Sequence, residues 1–303
     1  MKQIRKRLTP TEAAIIDGVR DGSVKIESKV EKNDDVALST GANILFFDLE
    51  TSPMKAWPWS PYQDRIGMHQ IEQESFILSW SAKWLGKKTV MNDAVNRHHE
   101  VGNRGHFTPA HEYEIVNSLF NLLDKADIVI GHNIDKFDVK VFGKSLLRHD
   151  IAPPSPYLTV DTLKIAKKHF RLESNRLDEI GKFLNCGRKI TTDFQLWLDC
   201  MYGEDKAWKK MVRYCNQDIL LNEEVYHKLL PYVTNHPNIA IFDEHEGEAC
   251  SKCGSEDITH TNKRKYTKIA SYELFHCNNC FSWGARRSNV VEKDQRMFIT
   301  KSA

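Results

Sequence analysis

The chain has 303 residues, 41% of them hydrophobic and 28% charged, with a formal net charge of +2. That composition excludes a disordered or fibrous chain, and the length holds one large domain with a small one beside it. No run of about 18 apolar residues exists, which excludes a spanning helix, and the near-zero net charge dictates no partner by itself. Charge is uneven, however. From Cys250 onward there are ten Lys/Arg against five Asp/Glu, and the first thirty residues hold seven against four. Both ends therefore suit nucleic-acid contact without demanding it.

Residues 1–40 read as a separate basic, helical extension. Thr9 or Thr11 caps a short helix through TEAAIIDGVRDG, which Gly22 ends. The alternatives are a DNA-binding arm and a packing or flexible extension. Next, ILFF at 44–47 reads as a strand buried on both faces, with Asp48 and Glu50 where the run stops. Residues i and i+2 of a strand share a face, so on a continuing strand these carboxylates stand side by side and repel unless a cation joins them. Hard carboxylate oxygens suit Mg²⁺ or Mn²⁺. The competing reading is a strand that ends in a polar turn.

Residues 52–74, rich in Pro, Trp and Met, read as a loop whose aromatic residues either stack on bases or pack among themselves. SFILSWSAKWLG and KTVMNDAV read as two further strands joined at Gly-Lys-Lys. EYEIVNSLFNLLDKA has helical apolar spacing, DIVIGHN is a short buried strand, and IDKFDVKVFGKSLLRHD is a helix. TLKIAKKHF, SNRLDEIGKFLN and a long stretch from about Lys206 to Leu230 are further helices, which Pro231 and Pro237 close. Strands alternating with helices predict an α/β layered fold.

Two more acids stand out by position. Asp138 follows a strand in HNIDKFD. Asp218 lies in YCNQD, with Tyr214 four residues earlier on the same helical side. FDLET, HNIDKFD and YCNQD, in that order and in those settings, resemble the three motifs of the DEDD 3′–5′ exonucleases. These belong to the DnaQ-like, RNase H-like superfamily, and the match is to the Tyr-containing subtype. The resemblance is greatest to family-B polymerase proofreading domains and stand-alone phage-type exonucleases, and covers about residues 42–230. It implies an RNase H-like mixed β-sheet flanked by helices over 41–235. No polymerase region follows the matched stretch, which predicts a free-standing enzyme, working in replication or repair. The basic start MKQIRKRLTP leads into no apolar signal-peptide region, which predicts the cytoplasm, the host's if phage-encoded.

The resemblance further implies two Mg²⁺ or Mn²⁺ ions. Asp48 bridges them, Glu50 and Asp218 complete one site, and Asp138 holds the other. Tyr214 orients the attacking water, since a phenol with a pKa near 10 is a poor base at neutral pH. Thr51 and Asn133 are the implied substrate contacts. His132 reads as a packed strand-end residue and Asp161 as structural. The substrate implied is single-stranded or frayed 3′-end DNA, and a replication protein or polymerase is a possible partner. The alternatives are RNA 3′-trimming, a structure-selective endonuclease, and a nucleic-acid-binding accessory protein with an idle nuclease fold.

Cys250-x2-Cys253 and Cys277-x2-Cys280 are 23 residues apart. Two such knuckles fit one tetrahedral Zn²⁺ with four thiolates, a zinc ribbon over 245–290 followed by a tail at 291–303. With four protein ligands the zinc is structural. KRKYTK and FSWGARR suit either nucleic-acid contact or protein docking. Cys186, Cys200 and Cys215 read as core thiols.

Overall fold

The computed structural model describes residues 41–102, 105–267, 270–291 and 293. The expected helix within residues 1–40, and most of the tail, lie outside these. The strands are β1 (Ile44–Thr51), β2 (Lys55–Ala56), β3 (Ile71–Gln73), β4 (Ile77–Trp84), β5 (Met91–Ala94), β6 (Ile128–Gly131), β7 (Leu158–Asp161), β8 (Ile258–Tyr266), β9 (Ser271–Cys277) and β10 (Trp283–Asn289). The α-helices, in chain order, are α1 (Tyr113–Leu123), α2 (Asp138–Arg148), α3 (Thr162–His169), α4 (Leu177–Leu184), α5 (Phe194–Met201) and α6 (Asp205–Leu229).

Five strands form one mixed sheet in the order β5-β4-β1-β6-β7. β1 pairs antiparallel with β4 and parallel with β6, and β6 pairs parallel with β7. Being central, β1 is covered on both faces, which explains its unbroken apolar start. Leu45, Phe47 and Leu49 face one core with α1, α2 and the start of α6. Ile44 and Phe46 face the other with α3, α4 and the rest of α6. The period of two then carries Asp48 and Glu50 onto the Ile44–Phe46 face, toward α6. Across the strand their partners are small: Asp48 opposes Ser81 and Glu50 opposes Ser79.

Those small rungs let α6 lie close to the sheet. Ser81 Oγ donates to Asn216 Oδ1 (2.7 Å), and Lys83 meets Glu223 in a largely buried ion pair (2.6 Å). A Cβ on Gly181 of α4 would come within 2.7 Å of Leu221 Cδ1 of α6 and 3.0 Å of the Gly187 carbonyl oxygen, so α4 and α6 pack closely there.

The structure differs from the sequence reading in several elements. Strand β7 and helix α5 were not expected. The 52–74 loop contains the small antiparallel pair β2–β3. Helix α2 starts only at Asp138, because Asn133 is left-handed (φ 67°) and its carbonyl accepts from Lys136 and Phe137 in a separate turn. The cysteine module forms its own sheet, β10-β9-β8.

Candidate active site

Ligand atoms of Asp48, Glu50 and Asp218 all lie within 4.8 Å of one another. Asp48 and Glu50 come from one face of β1, and Asp218, 1% exposed, from the middle of α6. Burial and the charge of Asp218 push the Asp48 pKa up to about 7. Burial and the charge of Asp48 hold Glu50 well above the usual carboxylate range. Burial raises Asp218 too, with Lys189 pulling the other way. One oxygen of Asp218, Oδ1, is buried without any hydrogen-bond partner. Crowded carboxylates, raised in pKa and with an orphaned oxygen, are the electrostatic complement of a divalent cation.

Asp138 approaches from another side. Beyond Phe46, β1 no longer pairs with β6. Asp138, at the first position of α2, accepts the Leu49 N–H at 3.0 Å, between the two β1 acids. Burial and the Asp48 charge raise its pKa well above normal. It borders the three-carboxylate cluster without being part of it.

Tyr214, one turn before Asp218, stays protonated at neutral pH, since burial and Asp218 raise its pKa further. Its hydroxyl accepts from Lys189 Nζ at 3.3 Å, and the same ammonium lies 2.5 Å from Asp218 Oδ2. Burial pulls the Lys189 pKa down, yet Asp218 raises it on balance, so this amine is charged. The sequence reading missed Lys189. It sits between α4 and α5, where Asp178 accepts the Lys189 N–H (2.8 Å) and meets Arg188 (2.7 Å). The only local signal is a basic pair in a loop, and nothing in the sequence aims it at an acid 29 residues away.

The remaining expected residues lie around this centre. Thr51 follows Glu50 at the end of β1. The Asn133 N–H donates to Asp161 Oδ1 (3.0 Å), which also caps α3 by accepting from Leu163 and Lys164. Neither Thr51 nor Asn133 hydrogen-bonds a carboxylate of the cluster. His132 Nε2 donates to the Asn175 carbonyl at 3.0 Å, and burial lowers its pKa to about 4, so it packs as a neutral ring. Cys215 lies beneath the site, its Sγ 3.8 Å from Asp48 Oδ2. Past Thr51 a recess of about 190 Å³ opens between Met54, Phe194, Leu198 and Tyr202. Farther along the same loop Trp59 and Tyr62 are each 91% exposed, so these rings do not pack among themselves.

In the cysteine module, Cys253 Sγ and Cys277 Sγ are 3.5 Å apart, and Cys250 Sγ and Cys280 Sγ 3.6 Å. Both distances are far too long for a disulfide, at about 2.05 Å. They are close to the edge of roughly 3.8 Å that Zn–S bonds of about 2.3 Å give a tetrahedron. The four sulfurs therefore fit one zinc ion. Lys252, inside the first knuckle, donates to the carbonyls of Leu230 (3.3 Å) and Pro231 (2.9 Å), just past the end of α6.

Among the described residues no helix is long and apolar enough to cross a membrane. No curated protein matches the chain. One similar solved structure is the family B DNA polymerase from the hyperthermophilic archaeon Pyrobaculum calidifontis, at 12% identity and a TM-score of 0.45. The alignment covers 63% of this chain and 25% of that one, so the chain spans about a quarter of the polymerase's length. A family model described as RNase_H superfamily matches residues 45–230, which takes in α1–α6 and all of the five-stranded sheet but Ile44. With well over half of its length matched, the chain belongs to the RNase_H superfamily.

Proposed function

We propose that the chain is a metal-dependent 3′–5′ exonuclease of the DEDD type with the Tyr-containing third motif. On this reading it hydrolyses phosphodiester bonds at single-stranded or frayed 3′ ends of DNA. The observation that carries the reading is the convergence of Asp48, Glu50 and Asp218 within 4.8 Å, in a buried site whose charge one lysine does not balance. Asp48, Glu50 and Asp218 would hold divalent metal, Mg²⁺ or Mn²⁺, with Asp138 at its border. Such ions supply activation of water near neutral pH and stabilisation of charge on the phosphoryl oxygens.

The chain's own groups do the positioning. Tyr214 keeps its proton and so orients water rather than deprotonating it. Lys189 neutralises Asp218 and places a positive charge where phosphate negative charge accumulates. The Asp138–Leu49 hydrogen bond fixes the end of β1 that carries both acids. The recess past Thr51 takes an unpaired base at the strand terminus, and Thr51 and Asn133 contact the strand. The nuclease unit on this reading is 41–235. A zinc ribbon at 245–290 holds one structural Zn²⁺ through Cys250, Cys253, Cys277 and Cys280.

The test is cleavage with Mg²⁺ of 5′-labelled single-stranded DNA, duplex DNA and RNA. A ladder shortening from the 3′ end of single-stranded DNA supports the reading. Preference for RNA moves the substrate to 3′-trimming of RNA. Internal cuts make the protein an endonuclease, and bound but intact strands leave only a binding protein.

A further inference from the structure

The two knuckles of the cysteine module, CSKCG and CNNCF, share their spacing and contrast at the residue that follows the second cysteine. The residue after the second cysteine is left-handed in both: Gly254 has φ +72° and Phe281 φ +58°. Glycine adopts that backbone freely, whereas a bulky side chain meets the following carbonyl. Burial does not compensate Phe281, whose side chain is 66% exposed. An exposed ring held on a strained backbone points to a contact outside the chain.

The ring has neighbours of the same kind. The centroid of Phe281 lies 6.3 Å from that of His276, and His276 lies 5.3 Å from Trp283. His276 of β9 is in register with Trp283 of β10 and Thr259 of β8. Lys263 Nζ sits 5.2 Å from the Trp283 ring centre, and Lys265 opposes Tyr272 farther along the face that His276 occupies. Trp283 is 47% exposed.

Charge is sorted by face. Glu273 alternates to the opposite face, where Arg286 engages it (2.9 Å) together with Glu248 (2.7 Å). On the aromatic face the paired rungs Thr259–His276–Trp283, Leu274–Ala285 and Lys265–Tyr272–Asn289 carry no carboxylate, and Asp257 borders the face beside Thr259. Asp257, just before β8, accepts from Asn278 Nδ2 at 2.7 Å.

We infer that this face of the module is a stacking platform for the unpaired bases of single-stranded nucleic acid, with Lys263 and Lys265 on its phosphates. Bases offer π-faces to the spaced rings, and phosphates complement ammonium groups that form no ion pair among the described residues. Lysine is depleted at the cores of protein–protein interfaces, so rings interleaved with Lys263 and Lys265 match a polyanion better than a protein surface. The inference deepens the nuclease reading, on which it rests for the choice of single strands.

The experiment uses the full chain with Asp48→Ala, so that bound strands stay intact, and fluorescent oligo-dT of about sixteen and about four nucleotides. Phe281→Gly with Trp283→Ala is expected to weaken binding of the long strand about ten-fold or more. Binding of the short strand, held in the catalytic cleft, stays unchanged. Lys263→Ala with Lys265→Ala is expected to make the log–log salt slope shallower by about 1.4, at about 0.7 per phosphate contact. Phe281→Gly alone relieves the backbone, so a full zinc complement and an undiminished Tm are expected and separate lost stacking from lost folding. Parental affinity for the long strand in the Phe281/Trp283 variant overturns the inference, as does an equal loss on short and long strands. Failure of the nuclease reading is distinguished by a parent, with Asp48 intact, that cleaves neither strand, while the binding comparison still stands.

Discussion

Lys189 Nζ stands 2.5 Å from Asp218 Oδ2, and that ion pair spans the loop after α4 and the middle of α6. Asp218 is almost wholly buried and Lys189 is partly exposed, so the pair contributes about 1–2 kcal/mol after solvent screening. It is also the one cation contact within the carboxylate cluster among the described residues. Lys189→Ala is therefore expected to lower the metal-free Tm by about 3–6 °C. Mg²⁺ should restore more stability in this variant than in the parent, because the ion takes over the neutralisation that the ammonium provided. Equal Mg²⁺-induced Tm shifts in the two proteins would show that Lys189 and metal do not act on the same charges.

The crowding of the acids sets a pH dependence. The Asp48 pKa rises from 3.8 to about 7 on folding, and those of Glu50 and Asp138 also rise. Between about pH 4 and pH 7 the folded chain thus holds protons that the unfolded chain has released, so stability falls as pH rises through that window. Thermal unfolding without divalent metal should give a higher Tm at the acidic end than at the neutral end. Asp48→Ala with Glu50→Ala should flatten that profile and raise the neutral-pH stability by about 1–3 kcal/mol. A parent and variant with parallel pH profiles would contradict the assigned repulsion.

Tyr214→Phe keeps the ring against Trp197, 6.1 Å away between centroids, and removes the hydroxyl that meets Lys189. If the hydroxyl orients water, the single-turnover rate falls about ten- to a hundred-fold while strand affinity changes little. An unchanged rate would reduce Tyr214 to a packing residue.

The cysteine cluster should hold one zinc per chain by elemental analysis. Cys253→Ser with Cys280→Ser should lose it, because two of four ligands are gone. Lys252 then loses its fixed position against the carbonyls of Leu230 and Pro231. The elements that carry the four acids, β1, α2 and α6, end by Leu229, however. Cleavage of a short strand by the double variant should therefore stay within about two-fold of the parent, a change of under about 0.5 kcal/mol in barrier. A collapse in rate would make the ribbon a required support of α6.

What the sequence disclosed and what it hid follow from the range of the interactions. β1 and its acid pair were legible because side-chain alternation is local, and the strand does continue through Glu50 to Thr51. The four cysteines were legible because ligand spacing within each knuckle is local, and their sulfurs do converge. β7 was missed because only Val160 and Asp161 of its four residues are buried, too few to show a period. Helix α5 was missed although Asp193 caps it at Leu196, because its buried residues Leu196, Cys200 and Met201 make a short, one-sided pattern. Lys189 and Phe281 were beyond sequence reasoning. The first depends on tertiary placement opposite Asp218, and the second on a left-handed backbone that its residue type argues against.

On the proposed function, Asp48 and Glu50 serve phosphodiester hydrolysis at a strand's 3′ end. The most direct measurement is single-turnover digestion of 5′-labelled single-stranded DNA with Mg²⁺, by the parent and by Asp48→Ala with Glu50→Ala, both confirmed folded by circular dichroism. A ladder of progressively shorter labelled products is expected from the parent, and an intact strand, still bound, from the variant. A ladder of equal rate from the variant, or an intact strand from both proteins, would contradict the proposed function.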